Sequence, residues 1–237
     1  MPGQSDVEIG VDLRNNVIVG QIMKKIRREE CYAKFLLEII FPQEFSMLRI
    51  ADKPDLQSLD AKKGIEVVSA IDQNDMEAQH LFKKINEMTL DEKKEKSDIE
   101  KIRKLGGQLF GTDGKGMMIT TGDDSFTLII SQFKKKLERL NNAGYQEFPE
   151  YCLYVKSEIF ADEKMKKDAL SEMTEITKNV SRTYERVFSK VFVDLYSEVI
   201  VFDLLHDSYI VKKVDIGTQD DICSQTNEYI ENCERLQ

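Results

Sequence analysis

Histidine and cysteine are scarce in this chain of 237 residues, which has two histidines, His80 and His206, and four cysteines without a CxxC pair. Because zinc centres are built mainly from closely spaced Cys and His ligands, a structural zinc site is not expected. The cysteines also lack the regular framework of a disulfide-stabilised secreted domain. A chain of this length buries roughly 70% of the surface that its unfolded form exposes, so it folds without disulfides or metals.

Long apolar runs are absent as well. Residues 1–14 lack the basic-then-apolar pattern of a signal peptide. No apolar run approaches the roughly 20 residues that a membrane-spanning helix requires. We therefore expect a cytoplasmic protein without membrane segments, in a reducing compartment that keeps its thiols free.

Basic residues are outnumbered by acidic ones, 34 against 43, and the net charge is −9. A protein whose main role is to coat nucleic acid is usually basic, since Lys and Arg supply the phosphate contacts. The acidic balance weakens that interpretation. It leaves room for an enzyme in which carboxylates hold a metal and a local basic rim holds the substrate.

Apolar spacing predicts a long first helix, over about 16–40, that ends at Pro42. One face of this helix is apolar and carries Ile22, Ile26, Ala33, Leu37 and Ile40. Glu30 falls within that face, so its carboxylate lies either at the edge of the face or in a functional position.

Three short extended segments follow, at 46–50, 56–58 and 65–71. The first two flank the turn-like stretch Ala51-Asp52-Lys53-Pro54, and the third is rich in β-branched residues after Gly64. Residues 72–122 are predicted to be a mostly helical insertion, with helices over 75–88 and 89–104 and a glycine-rich loop or hairpin over 105–116.

A strongly amphipathic helix comes next, and its buried stripe comprises Phe126, Ile129, Ile130, Phe133, Leu137 and Leu140. The lysine run 134–136 is interpreted as a solvated face or as the flank of a nucleic-acid groove. A buried strand over 151–155 follows, and the strand–helix–strand order predicts a crossover onto the existing sheet.

The last third is predicted to contain a long helix over 163–191, strands over 198–205 and 209–214, and a polar helix or tail over 217–237. The whole chain, 1–237, then forms a single α/β domain with a mixed central sheet flanked by helices. Its core spans about 16–215, and no linker divides it.

Two carboxylates stand out in this arrangement, Asp55 beside the bend and Glu66 within the strand Ile65-Glu66-Val67-Val68. Asp55 on its own is compatible with an ordinary Pro-Asp turn. A carboxylate within an apolar strand must lie at an edge, be paired, or bind a ligand. Mg²⁺ and Mn²⁺ favour sites of a few carboxylate oxygens completed by water and substrate phosphate, so the pair predicts a metal site.

The order of elements, together with Pro54-Asp55, Ile65-Glu66-Val67, the basic helix around 133–140 and the strand Leu153-Tyr154-Val155, resembles the PD-(D/E)XK nuclease superfamily. This resemblance covers about 20–160 and implies a restriction-endonuclease-like core. It implies that Asp55 and Glu66 are metal ligands and that Glu30 is the glutamate that many members place on the first helix. All three would then be catalytic.

Val68 departs from the family pattern, because that position normally holds a lysine on the same face as the acid. Such a lysine positions water and stabilises negative charge in the transition state, and valine does neither. Either another polar group reaches the site from elsewhere, or the fold persists without catalysis. The nearest lysines in sequence are Lys53, Lys83 and Lys84, and Glu77 and His80 are further candidates for the lining of the site.

The leading hypothesis is a Mg²⁺- or Mn²⁺-dependent nuclease that hydrolyses phosphodiester bonds of DNA, in defence against foreign DNA. The alternative is a catalytically inactive nuclease-fold protein that acts as a protein-interaction or regulatory module, with a protein partner or a second copy of the chain. A third alternative is a helix-rich scaffold whose resemblance to nucleases is accidental.

Overall fold

The computed structural model describes residues 27–87, 92–111, 116–119, 126–142 and 144–235. These residues form six helices and nine strands. Their order is α1 (Arg28–Ile40), β1 (Leu48–Ile50), β2 (Leu56–Ser58), β3 (Lys63–Ser69), α2 (Gln73–Glu87), α3 (Glu92–Lys104), β4 (Gln108–Phe110), β5 (Met117–Ile119), α4 (Thr127–Leu140), β6 (Glu150–Lys156), α5 (Glu163–Val180), β7 (Phe188–Asp194), β8 (Glu198–Asp203), β9 (Ser208–Lys213) and α6 (Ile216–Arg235).

A mixed sheet of seven strands forms the centre, in the order β1-β2-β3-β6-β7-β8-β9. The three middle strands, β3, β6 and β7, run parallel, and the outer pairs are antiparallel. Each parallel pair is joined through a helix, α4 before β6 and α5 before β7, as parallel strands require. The predicted α/β class, with a mixed central sheet flanked by helices, is confirmed.

Strand alternation gives the sheet two apolar faces. The first face carries Ile65, Val67, Tyr154 and Phe192, and packs against α1 and α6. The second face carries Leu153, Val155, Val191 and Phe202, and packs against α4 and α5. Since successive side chains on a strand point to opposite faces, Glu66 is directed to the second face, toward α4.

The insertion between β3 and α4 is built as predicted from helices and a hairpin. Helices α2 and α3 bury a small core of their own, formed by Ala78, Leu81, Ile85 and Ile102. The glycine-rich stretch begins the two-stranded ribbon β4–β5, in which Phe110 pairs with Met117. Helices α2 and α3 lie in the long connection from β3 to α4. This connection places no strand between β3 and β6, which pair directly.

One predicted element is wrong. The helix predicted over 163–191 ends at Val180, and Phe188–Asp194 forms β7 in the middle of the sheet. Apolar residues at 187, 188, 191, 192 and 193 continue a helical spacing, but they belong to a strand that is buried on both faces and therefore apolar on both. The strand predictions over 198–205 and 209–214 are confirmed as β8 and β9, and the polar C-terminal segment is a helix, α6.

The predicted first helix is confirmed from Arg28 onward, and its proposed start, over 16–26, lies outside the described residues. Phe41 follows the helix and Pro42 lies just beyond it, as expected. None of the helices that the structure describes has both the length and the apolar character needed to cross a membrane.

Candidate functional site

The bend between β1 and β2 presents Asp55 to the neighbouring strand β3. Strands β2 and β3 pair at Leu56 with Ile65 and at Gln57 with Gly64. One residue further along, the Asp55 carboxylate Oδ2 accepts a hydrogen bond of 2.9 Å from the backbone N–H of Val67. The side chain of Asp55 thus continues the hydrogen bonding between β2 and β3 beyond their last paired residues. This bond holds the Asp55 carboxylate beside Glu66.

Gly64 allows the bend to approach the strand this closely. A Cβ on Gly64 would stand 2.5 Å from Cγ of Pro54 and 2.9 Å from Cδ2 of Phe148. Real Cβ atoms do not tolerate such distances, so the position demands glycine. Gly64, the second residue of β3, is therefore needed for packing at the site.

Glu66 is buried, with only 3% of its surface exposed. Burial raises the pKa of the Glu66 carboxyl above its ordinary value, and the neighbouring charge of Asp55 raises it further. Lys136 and the hydroxyl of Tyr145 bond to the carboxylate and act in the opposite direction without cancelling the effect. A charged group in such a place needs partners, and Glu66 has both a cationic and a neutral donor.

Lys136, on α4, supplies the cation that Val68 does not. Its Nζ lies 2.6 Å from Oε2 of Glu66 and 3.4 Å from Oδ2 of Asp55. Val68 is on the same face of β3 as Glu66 but packs into the apolar cluster under α4. The ammonium therefore reaches the two carboxylates from the helix that covers them rather than from the strand that carries Glu66.

Sequence reasoning missed Lys136, although a signal for it existed. Position 136 is three residues after Phe133 and four before Leu140, which puts it at the edge of the buried stripe of α4. Lys134 and Lys136 look alike in the sequence because they belong to one lysine run, yet they differ in exposure. The side chain of Lys134 is 55% exposed and that of Lys136 only 13%.

The lysines nearest in sequence have other surroundings. Lys84 pairs with Asp98 at 2.8 Å, within the insertion. Glu77 binds Lys101 at 2.5 Å, and His80 is exposed on α2. These contacts tie α2 to α3 and give no link to Asp55 or Glu66. Lys53 lies next to the bend that carries Asp55, because it precedes Pro54.

Glu30 lies on α1 and is 2% exposed. Its helix packs on the first face of the sheet through Ala33 and Leu37, whereas Glu66 points to the second. Within the described residues, no group of three or more His, Cys, Asp or Glu side chains could hold a metal ion. Glu30 thus does not join Asp55 and Glu66 in such a group, and its catalytic role stays a prediction.

The site therefore brings together two adjoining carboxylates, one lysine that contacts both of them, and one tyrosine. Mg²⁺ needs only one or two protein carboxylates, because water and substrate phosphate complete its shell. Asp55 and Glu66 meet this requirement as a donor set. Comparison with family models, with curated proteins and with solved structures finds no match to this chain. The resemblance to nucleases therefore stays a prediction from the sequence.

Proposed function

We propose that this protein is a metal-dependent nuclease that hydrolyses phosphodiester bonds of DNA. The observation that supports it most is the contact of Lys136 with both Glu66 and Asp55, at 2.6 and 3.4 Å. The motif acids are side by side on the bend and the strand where the PD-(D/E)XK resemblance requires them. A lysine meets them on the same face, although position 68 is valine.

Asp55 and Glu66 would hold Mg²⁺ or Mn²⁺. The ion, when bound, supplies a water of lowered pKa and neutralises charge on the phosphate. Glu66 has to be ionised to bind it, and the bonds from Lys136 and Tyr145 favour its ionised form. The hydrogen bond from Val67 N–H orients the Asp55 carboxylate.

Lys136 would supply the positive charge that the motif lysine normally provides. An ammonium aimed at the place where negative charge develops on the phosphate lowers the energy of the transition state. Its low exposure strengthens this interaction, because little water screens it. Its aliphatic stem reaches the site along the edge of α4, so the helix fixes its direction.

DNA as the substrate rests on the resemblance and on the basic residues beside Lys136. Lys135 and Arg139 are exposed on the same helix, within one turn of it. They form a local basic rim in a chain whose net charge is −9. Phosphate contacts of this kind hold nucleic acid without reading its sequence. A cytoplasmic role in defence against foreign DNA belongs to the same proposal.

The direct test is nicking of supercoiled plasmid by the purified protein in Mg²⁺ or Mn²⁺. We expect metal-dependent conversion to open circles, abolished in Asp55→Ala and Glu66→Ala and retained in Asp60→Ala, which removes an exposed acid of the nearby turn. Activity that survives both site substitutions would show that the cleavage arises elsewhere.

A second candidate function is a catalytically inactive nuclease fold that serves as a protein-interaction or regulatory module, with a protein partner or a second copy of the chain. The specific observation in its favour is that Lys136 already provides a cation to both carboxylates. Calorimetric titration with Mn²⁺ separates the two functions. Binding that disappears in Glu66→Gln supports the nuclease, and the absence of specific heat supports the inactive module.

A further inference from the structure

Lys53 is an exposed cation two residues before Asp55, at the bend between β1 and β2. Among the residues that the structure describes, no carboxylate forms an ion pair with its ammonium. By contrast Lys62, in the turn at the other end of β2, is paired with Asp60 at 3.2 Å. Lys53 thus carries a positive charge that no described acid compensates at short range.

The backbone of Lys53 is held in an unusual conformation. Its φ is +56°, in the left-handed region that L side chains rarely adopt. Its carbonyl accepts a hydrogen bond of 3.0 Å from the N–H of Gln146, in the loop between α4 and β6. Non-glycine residues in this region carry strain and are concentrated at binding and catalytic sites. The conformation therefore supports a functional interpretation of the side chain.

The ammonium of Lys53 lies against the loop that follows α4, because a Cβ at Gly144 would stand 3.7 Å from its Nζ. On α4 itself, Arg139 is exposed one turn after Lys136. Asp55 and Lys136, 3.4 Å apart, come from this same bend and this same helix. Each of the two elements that meet at the site thus also carries an exposed cation next to it.

Lys136 and Lys53 differ in their availability to a substrate. Lys136 is 13% exposed and already contacts Glu66 at 2.6 Å and Asp55 at 3.4 Å. Lys53 makes no such contact, although it is only two residues from Asp55. A phosphate that approaches the two acids meets negative charge, and an exposed ammonium beside them attracts it. DNA carries a phosphate on every nucleotide, so a strand with one phosphate at the acids places another beside them.

We propose that Lys53 binds the phosphate next to the one that is cleaved, and so holds the strand over Asp55 and Glu66. This inference rests on the proposed function for the identity of the substrate. It adds the form of that substrate, a nucleic-acid strand that continues past the scissile bond. The contact joins an ammonium and a phosphate oxygen, so it positions the strand without reading its sequence.

The first test measures binding of a fluorescein-labelled DNA duplex by fluorescence anisotropy, over a series of NaCl concentrations, in EDTA to prevent metal-dependent cleavage. Lys53→Met should weaken binding severalfold and reduce the slope of log affinity against log salt by about 0.9, as loss of one phosphate contact predicts. Lys53→Arg should restore the slope. Lys62→Met, the matched control, removes an exposed lysine that is paired with Asp60, and should keep the wild-type slope.

The second test locates the phosphate. After one cleaved bond has been mapped in a labelled duplex, the phosphates on its two sides are replaced in turn by uncharged methylphosphonates. One of the two replacements should slow wild-type cleavage of that bond severalfold. It should cause no further loss in Lys53→Met, because the two changes remove the same contact. Independent, additive losses for both replacements would contradict the assignment.

The outcomes separate this inference from the proposed function. An unchanged salt slope in Lys53→Met, with or without a lower melting temperature, would overturn the inference. Equal loss of slope in Lys53→Met and Lys62→Met would do the same, since it reports total charge. If the wild type binds DNA with a slope that depends on Lys53 but nicks no plasmid in Mg²⁺ or Mn²⁺, the nuclease is contradicted and Lys53 remains a DNA-binding residue.

Discussion

Two of the lysine–carboxylate networks on the central sheet differ in the ratio of lysines to acids. At the beginning of β3, β6 and β7, Lys63 binds Glu44 at 2.8 Å and Glu150 at 3.0 Å, and Lys190 binds Glu44 at 2.6 Å. This balanced network has two lysines for two acids. In the candidate site, one lysine faces two acids.

The pKa values of Glu150 in the balanced network and of Glu66 in the candidate site are shifted in opposite directions. Burial opposes ionisation of Glu150, but its bonds from Ser189 and Lys63 outweigh that effect, and its pKa is lowered. Burial and the charge of Asp55 dominate at Glu66, and its pKa is raised. The balanced network therefore stabilises the sheet, whereas ionisation of Glu66, buried beside Asp55, has a cost in stability. Such a cost is typical of functional sites.

The largest difference should appear when each network loses a lysine. Lys136→Met should reduce plasmid nicking by about 10²- to 10³-fold, because it removes a donor to the developing charge. Lys63→Met, the matched control, should keep the cleavage rate and lower the melting temperature. Single-turnover cleavage at saturating Mn²⁺ and thermal denaturation measure the two effects. Equal loss of cleavage in both variants would remove the distinction between the networks.

A smaller effect is expected from crowding the bend. Gly64→Ala places a methyl group against Pro54 and Phe148, and we expect a loss of about 1–3 kcal/mol in the free energy of unfolding, as overpacking produces. Displacement of Pro54 also shifts Asp55, so cleavage should fall together with stability. Gly217→Ala is the control, because a Cβ there meets only the carboxylate of Asp215, at 3.3 Å. Urea denaturation of Gly64→Ala that matches the wild type would contradict the packing at the bend.

The smallest effect, and the one that reports the charge balance, is the pH dependence of stability. A raised folded pKa means that Glu66 contributes less stability as pH rises above 4.5, its ordinary value, through its folded pKa. Glu66→Gln should thus become more stable relative to the wild type across that interval. Urea denaturation at a series of pH values measures the difference.

Glu150→Gln should show the opposite sign. The lowered pKa of Glu150 means that its stabilisation is present above pH 4.5 and is lost as pH falls through its folded pKa. The variant should be less stable than the wild type at neutral pH and equal to it in acid. Parallel pH profiles for Glu66→Gln and Glu150→Gln would contradict the contrast between the networks.

Much of this architecture was predictable from local patterns. The apolar stripe of α4 predicts a helix, and the β-branched run of β3 predicts a strand. The position of Glu66 within that apolar run indicates a paired or functional carboxylate. The predicted helix over 163–191 failed at β7, because a central strand is apolar on both faces and shows no alternation. Periodicity alone does not separate such a strand from the end of a buried helix.

The position of Lys136 at the site depends on tertiary structure, whereas the position of Glu66 follows from its place in the strand. Alternation on a strand determines which side chains share a face, so a lysine at position 68 would have been predictable. Contact between α4 and β3 depends on the crossover angle and the packing of Phe133 and Leu137, which no short-range pattern specifies. Tyr145 lies in the loop between α4 and β6, so its position beside Glu66 likewise depends on tertiary structure.

The proposed function requires Asp55 and Glu66 to hold a divalent cation together. Crystals of the protein soaked in Mn²⁺, with data collected at the manganese absorption edge, test it most directly. We predict one anomalous peak in contact with both carboxylates, absent in Glu66→Gln and retained in Glu150→Gln. A saturated soak with no peak between Asp55 and Glu66, or with manganese bound only at other acids, would contradict the account.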